Sequence, residues 1–312
     1  MTEKRTIKIG TRGSKLALWQ AYYVQDALKE NGVESKIVTI ETKGDKILDV
    51  TIAKIGSKGV FTEEIEDMLQ SGEVDIAVHS AKDMQSELPA GFKLIAFGER
   101  ERVNDILVSH QNGLNIEKDN LVIGTSSTRR IAFLKKYYPH LKTIPVRGNL
   151  QTRIKKMKEG ACDVLLLAYA GAHRMGFNDM MIYEFDKEKF IPAVGQGSIA
   201  IEVHESFDSD LSDKIREAIN HKASEITLLA ERAYLRIMNG GCSIPVFGLA
   251  KIVGDDVILN GGIISLDGQN MVAHQTTTSV SNPEKAGEEL AKYVLENGGK
   301  DILEGIRKEQ SS

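Results

Sequence analysis

The chain has 312 residues, a net charge of −4, 41% hydrophobic and 27% charged residues, a balance that excludes disordered, collagenous and disulfide-stapled classes. At about 150 residues per domain there is room for two or three domains. The mild acidity argues against a broad nucleic-acid surface, two distant cysteines exclude a disulfide framework or multi-cysteine metal site, and no apolar run reaches the roughly 20 residues of a membrane helix.

The start, MTEKRTIKIG, enters a strand pattern with no apolar signal segment, so a cytoplasmic location is expected. IKIG is followed by a Gly-Thr turn carrying Arg12 and Ser14, then by a helical period. Residues 43 to 64, KGDKILDVTIAKIGSKGVFTEE, show no clean period and read as a candidate lid with Lys54, Lys58 and Phe61, disorder without function being the alternative. A helix, a glycine, Asp75 and an apolar strand then lead to a small-residue loop with Lys82 and Asp83.

The same order returns further on. IGTSSTRRIAFL from Ile123 echoes IGTRGSKLALWQ from Ile9, and TRIKKMKEGACDVLLLAYAGAHRM echoes EEIEDMLQSGEVDIAVHSAKDM, with Asp163 matching Asp75. Strands alternating with helical periods imply βαβ units and mostly parallel sheets. The expected fold is therefore α/β, with two related domains around a cleft, followed by a small C-terminal α+β domain. The expected division puts residues 1–100 with a return segment 199–222 in the first domain, 101–198 in the second and 223–312 in the third.

In that third part, ASEITLLAERAYLRIMNGG reads as a long amphipathic helix closed by a glycine pair suited to a C-cap. PVFGLAKIV, DVILNGGIIS and NMVAHQTTTS read as strands, and PEKAGEELAKYVLENGG as a helix with Pro283 near its start. Cys242 lies on the loop NGGCSIP between helix and first strand.

Polar residues gather just after apolar strands: Arg12 and Ser14; Lys82 and Asp83; Thr125, Ser127, Arg129 and Arg130; Arg147. Ligands of open α/β sheets bind outside the carboxyl ends of strands, so these loops predict one cleft. GTSSTRR begins a helix, where free N–H groups hold anions, although Ser126 and Ser127 serve equally as caps. Arginine presents a planar donor fork for carboxylates, so Arg129, Arg130, Arg147, Arg153 and Arg174 predict a ligand with several carboxylates. For Arg153, one helical step from Lys156, a solvated helix face is an equal reading. Asp83 suits stabilisation of a developing cation, with a turn-capping role beside Lys82 as the alternative. His79, closing an apolar strand, stays outside the catalytic set, and Cys162 reads as a buried structural thiol.

TRGSKLALWQ, KGVFTEEIE, HSAKD, GTSSTRR, RGNLQTR, LAYAGAHRMG, IPAVGQGSIAIE and NGGCSIP, in register from residue 9 to about 250, resemble the hydroxymethylbilane synthase family, also called porphobilinogen deaminases. The resemblance implies a cytoplasmic, monomeric, three-domain transferase of tetrapyrrole and heme biosynthesis, its fold two related periplasmic-binding-protein-like α/β domains around a cleft plus a small C-terminal α+β domain, with no metal, nucleic-acid or membrane partner. Its substrate is porphobilinogen: four units are deaminated and joined head to tail on a dipyrromethane cofactor and released by hydrolysis as hydroxymethylbilane. By position, the resemblance implies that Cys242 carries the cofactor through a thioether and that Asp83 is catalytic. It gives the cofactor to Lys82, Asp83, Thr125, Ser127, Arg129 and Arg130, and the substrate side to Arg12, Ser14, Arg147, Arg153, Arg174 and Gln196. Gln85, Ala172 and Phe247 depart from the usual proline, leucine and small residue. Two rival readings are a non-enzymatic binder of a small carboxylated ligand and a thiol hydrolase using Cys242, which needs a histidine base nearby.

Overall fold

The computed structural model describes residues 5–46, 59–241 and 243–311. Lys54, Lys58 and Cys242 lie outside the described residues, and with them most of the candidate lid. The first sheet takes β1 (Ile7–Arg12), β2 (Ser35–Ile40), β3 (Ile76–Ser80), β4 (Phe92–Phe97) and, from much later in the chain, β10 (Ile199–His204), in the order β2-β1-β3-β10-β4. The second takes β5 (Asp105–Val108), β6 (Val122–Gly124), β7 (Lys142–Ile144), β8 (Val164–Ala168) and β9 (Met181–Glu184), in the order β7-β6-β8-β5-β9.

The two orders correspond position by position, with β1 matching β6 and β3 matching β8. The aspartates of the echo do the same work in each. Asp75 accepts from Lys8 N at 2.8 Å and Asp163 from Val122 N at 2.7 Å, while their own N–H groups donate to the carbonyls of Lys8 and Val122. Each aspartate thus ties the start of one central strand to its neighbour.

The sheets are mixed rather than mostly parallel. β1 runs parallel to β2 and β3, and β6 to β7 and β8, but β10 is antiparallel to β3 and β4, and β5 to β8 and β9. Both β5 and β10 enter their sheet from the other lobe, so no helical crossover within one sheet imposes the parallel direction. Central strands such as VLLLA of β8 are buried throughout, as a sheet covered on both faces requires. The covering helices are α1 (Lys15–Glu30) and α2 (Glu63–Ser71) on the first lobe and α3 (Thr128–Tyr137), α4 (Leu150–Lys158) and α5 (Tyr169–Arg174) on the second. α6 (Ser209–Ile219) returns to the first lobe, burying Ile215 and Ile219 with Val24 and Leu28 of α1.

The third part is an antiparallel meander of β11 (Val246–Val253), β12 (Asp256–Ile264) and β13 (Met271–Ser279). α7 (Lys222–Ile237) and α8 (Pro283–Val294) pack on it through Tyr234, Leu259 and Leu290, all fully buried. After α7 a positive φ of 45° falls on Asn239 rather than on Gly240; asparagine tolerates that conformation. A last helix, α9 (Lys300–Ser311), follows a break at Asn297 and Gly298 and was absent from the sequence reading. Among the described residues no helix is long and apolar enough to cross a membrane.

Two residues of the third part, Glu231 and Phe247, hold it against the rest of the chain. Glu231 of α7 pairs with Arg100 at 2.6 Å and accepts from Gly195 N at 2.9 Å and Ala250 N at 2.8 Å. Phe247 of β11 enters the second lobe's core, its ring centroid 4.9 Å from that of Phe133 on α3.

Candidate functional site

A cavity of about 810 Å³ opens where the strand ends of both lobes meet the third part, a size typical of small-molecule sites. Arg12 and Ser14 follow β1, Lys82 and Asp83 follow β3, Thr125, Ser127, Arg129 and Arg130 follow β6, and Arg147 and Arg153 follow β7; all line it, with Gln196 and Phe61. Gly240, Gly241 and Ser243 line the same cavity. The strand-end expectation of one shared cleft thus describes these residues.

Helix starts account for much of this geometry. Ser14 caps α1 by accepting from Ala17 N at 3.3 Å, and Ser127 caps α3 by accepting from Arg130 N at 3.5 Å. Asn149 caps α4 from Thr152 N at 2.9 Å. Each cap leaves the first turn of its helix facing the cleft, so for Ser127 capping and cavity lining coexist. Asp83 ends a short 3-10 turn, Ala81–Asp83, with its side chain exposed towards the cavity.

Beneath the arginines lies an acid that the sequence reading did not single out. Asp105, wholly buried at the start of β5, accepts from Arg129 Nη2 at 2.6 Å and, at its other oxygen, from Arg130 Nη2 at 2.6 Å and Gln196 Nε2 at 3.0 Å. Burial alone pushes this carboxyl up, but Arg129, Arg130 and Gln196 outweigh it and hold it at about 2. The only signal in the chain was an acid opening the apolar run DILV, which costs free energy unless it finds partners. Arg129 also donates to Ile191 O at 2.8 Å and Arg130 to Leu166 O at 2.9 Å. A guanidinium has five N–H donors, so both arginines keep donors for a ligand while Asp105 fixes their planes.

Gln196 continues the chain of contacts, accepting from Lys82 Nζ at 3.3 Å. Its neighbour Gly195 has φ 77°, and a Cβ there would lie 2.8 Å from Lys82 N, so this close approach to the Asp83 turn admits only glycine. Lys82 is pushed down to about 8 by burial and by the nearby Arg130, and Arg153 to about 10 by burial and again Arg130. The site is electropositive and partly desolvated, the setting in which an anion binds most strongly. Arg147 Nη1 and Arg129 Nε are buried and have no hydrogen-bond partner among the described residues. Unpaired buried donors on cavity-lining arginines fit a polycarboxylate such as dipyrromethane.

Phe61 also meets the cavity, with Arg12 Cζ 4.2 Å from its ring centroid. Arg174 does not line the cavity: it donates to Gly197 O at 3.0 Å and lies 5.0 Å from the Trp19 ring, stacked there on α1 rather than turned inward. His79 is buried with Nε2 3.0 Å from Glu202, an internal pair. Cys162 is buried and burial pushes its thiol up to about 11, which suits an inert core residue.

Two family models match the chain. Residues 7–212 match the porphobilinogen deaminase, dipyromethane cofactor binding domain, and residues 226–296 the porphobilinogen deaminase, C-terminal domain. The porphobilinogen deaminase of Desulfosudis oleivorans is 52% identical over 308 residues, covering 98% of this chain and 99% of the relative. That of Cytophaga hutchinsonii is 52% identical over 306 residues, covering 97% and 98%. Among solved structures, a Bordetella pertussis BvgS VFT2 domain aligns with a TM-score of 0.43 and 15% identity over 68% of this chain and 86% of that one; the architecture described above rests on the sheet order alone. With both family models and these near-full-length identities, the chain belongs to the porphobilinogen deaminase family.

Proposed function

We propose that this chain deaminates porphobilinogen and joins four such units head to tail, releasing the linear tetrapyrrole hydroxymethylbilane, with Cys242 holding a dipyrromethane cofactor through a thioether. The observation that carries the reading is the convergence of five arginines, Lys82 and Asp83 on one cavity that the neighbours of Cys242, Gly241 and Ser243, also line. When bound, the cofactor supplies a pyrrole with a free α-carbon as the primer.

The remaining roles belong to the protein's side chains. Lys82, Thr125, Ser127, Arg129 and Arg130 hold the cofactor's carboxylates, and Arg12, Ser14, Arg147, Arg153 and Gln196 take the acetate and propionate of the incoming substrate. Arg174 supports this wall from outside through Gly197. Neutralising the arginines with substrate carboxylates matters electrostatically, because loss of ammonia leaves positive charge on the substrate ring. Asp83 accepts a hydrogen bond from the pyrrole N–H and stabilises that charge as it develops. Holding both reacting rings by their carboxylates turns each addition into an effectively unimolecular step.

The test is the intact mass of the denatured protein beside Cys242→Ser and Cys162→Ser variants. Extra mass of two linked pyrroles in the parent and in Cys162→Ser, lost only in Cys242→Ser, is expected. An unmodified parent that also fails to take up mass from porphobilinogen or hydroxymethylbilane would overturn the reading.

A further inference from the structure

Gln85 stands two residues past Asp83, and its side chain reaches the segment at Thr62 and the helix that follows it. Its Nε2 lies 3.1 Å from Thr62 Oγ1 and 3.1 and 3.5 Å from the two oxygens of Glu66, and its backbone carbonyl accepts from Arg232 Nη2 at 3.0 Å. One residue thereby joins the turn of Asp83 to the Phe61–Thr62 segment, to α2 and to α7. Thr62 holds the N-cap position of α2, yet its side chain makes no capping bond; its hydroxyl accepts from Gln85 instead. Glu66 is 6% exposed, and burial pushes its carboxyl up against the opposing pull of Thr62, His79 and Gln85. A buried carboxylate is retained only with donors around it, and the Gln85 amide is one. The segment so fastened carries Phe61, the ring against Arg12.

We propose that Gln85 is a positioning residue for the reaction: its carboxamide fastens the Phe61–Thr62 segment and Glu66 to the turn that carries Lys82 and Asp83, setting the position of Phe61 relative to Asp83 at the cavity. The proposal rests on the role given to Asp83 above. It explains why a polar side chain at the cavity edge is directed away from the ligand arginines and into a buried carboxylate.

Gln85→Met keeps the length and removes both donors; Gln85→Glu sets a second carboxyl against Glu66. The ionisable groups around this contact are Glu66 on α2, His79 on β3, Glu202 on β10 and Arg232 on α7, with Lys82 and Asp83 on the Gln85 turn. Gln85→Met is expected to keep the cofactor mass and nearly unchanged KM while kcat falls about 10- to 100-fold, the scale of a small misplacement. Gln85→Glu is expected to regain kcat as pH falls, because two carboxyls at this distance share one proton. Thr62→Val should lower kcat in the same direction and add little to Gln85→Met. Parental kcat and pH profile in both Gln85 variants, or loss of thermal stability alone, would overturn the proposal. Measuring Asp83→Asn alongside separates the two readings: unimpaired Asp83→Asn overturns the role of Asp83, whatever the Gln85 variants do.

Discussion

Asp83 and Lys82 share one short turn but answer different questions. Asp83 is an acid placed among cavity arginines, and in the proposed function its charge offsets a forming cation, which Asp83→Asn removes while keeping size. Turnover should fall about 10²- to 10³-fold, the usual effect of deleting one preorganised electrostatic contact, with the cofactor mass retained in the denatured protein. Lys82 concerns binding. Its ammonium is held down to about 8 by burial first and Arg130 second, against an ordinary 10.5. Between those values the unloaded folded chain binds fewer protons than the unfolded one, so Lys82 makes the unloaded protein relatively more stable as pH rises from 8 to 10.5. The charge that attracts a carboxylate is lost over the same rise. Uptake of the cofactor by unloaded protein should therefore slow above pH 8, and Lys82→Arg should flatten that decline in a mass-resolved loading assay.

At the scale of elements, α3 shows how a helix start holds two arginines at a cavity only with support from behind. Ser127 caps the helix and places Arg129 and Arg130 on its first turn, while Asp105, at the start of a strand more than twenty residues earlier, fixes both guanidinium planes. Asp105→Asn leaves two buried arginines without their counter-charge, and a loss of about 3–5 kcal/mol is expected from breaking such a buried pair. Denaturant midpoints at neutral pH measure it. Because the folded carboxyl is held at about 2, below its ordinary 3.8, this contribution is complete above pH 3.8 and is lost as pH falls towards 2. Acid unfolding of the Asp105→Asn variant should accordingly show a weaker pH dependence through that window.

For the whole molecule, the third part is not an appendage. Glu231 meets Arg100 and Gly195 at the crossings between lobes, and Phe247 buries its ring against Phe133 in the second lobe's core. Phe133 belongs to the same helix as Arg129 and Arg130, so β11 and the two arginines are joined through one packed core. Phe247→Ala should cost about 3–5 kcal/mol as an aromatic-to-alanine core truncation. It should also slow cofactor loading in protein that remains folded at low temperature. Unchanged stability and loading would show that this junction tolerates the smaller residue.

Periodicity, turn residues and the paired echoes, all local properties of the chain, determined the strand ends, the helix starts and the polar residues between them. Those elements and the resemblance of eight motifs made most of the charged cavity lining legible, along with the residue type suited to a carboxylate ligand. Only the tertiary structure decided which side chains pair with one another. Asp105 is separated from its partners at 129, 130 and 196 by long stretches of chain, and β10 returns to the first sheet after the entire second lobe. Arg174 turns to Trp19 because α1 lies beside it, a neighbour no sequence period records. The direction of β5 and β10 has the same origin: crossing between lobes, unlike a βαβ turn within one sheet, leaves no local pattern and is set by which hydrophobic sheet edge each strand completes.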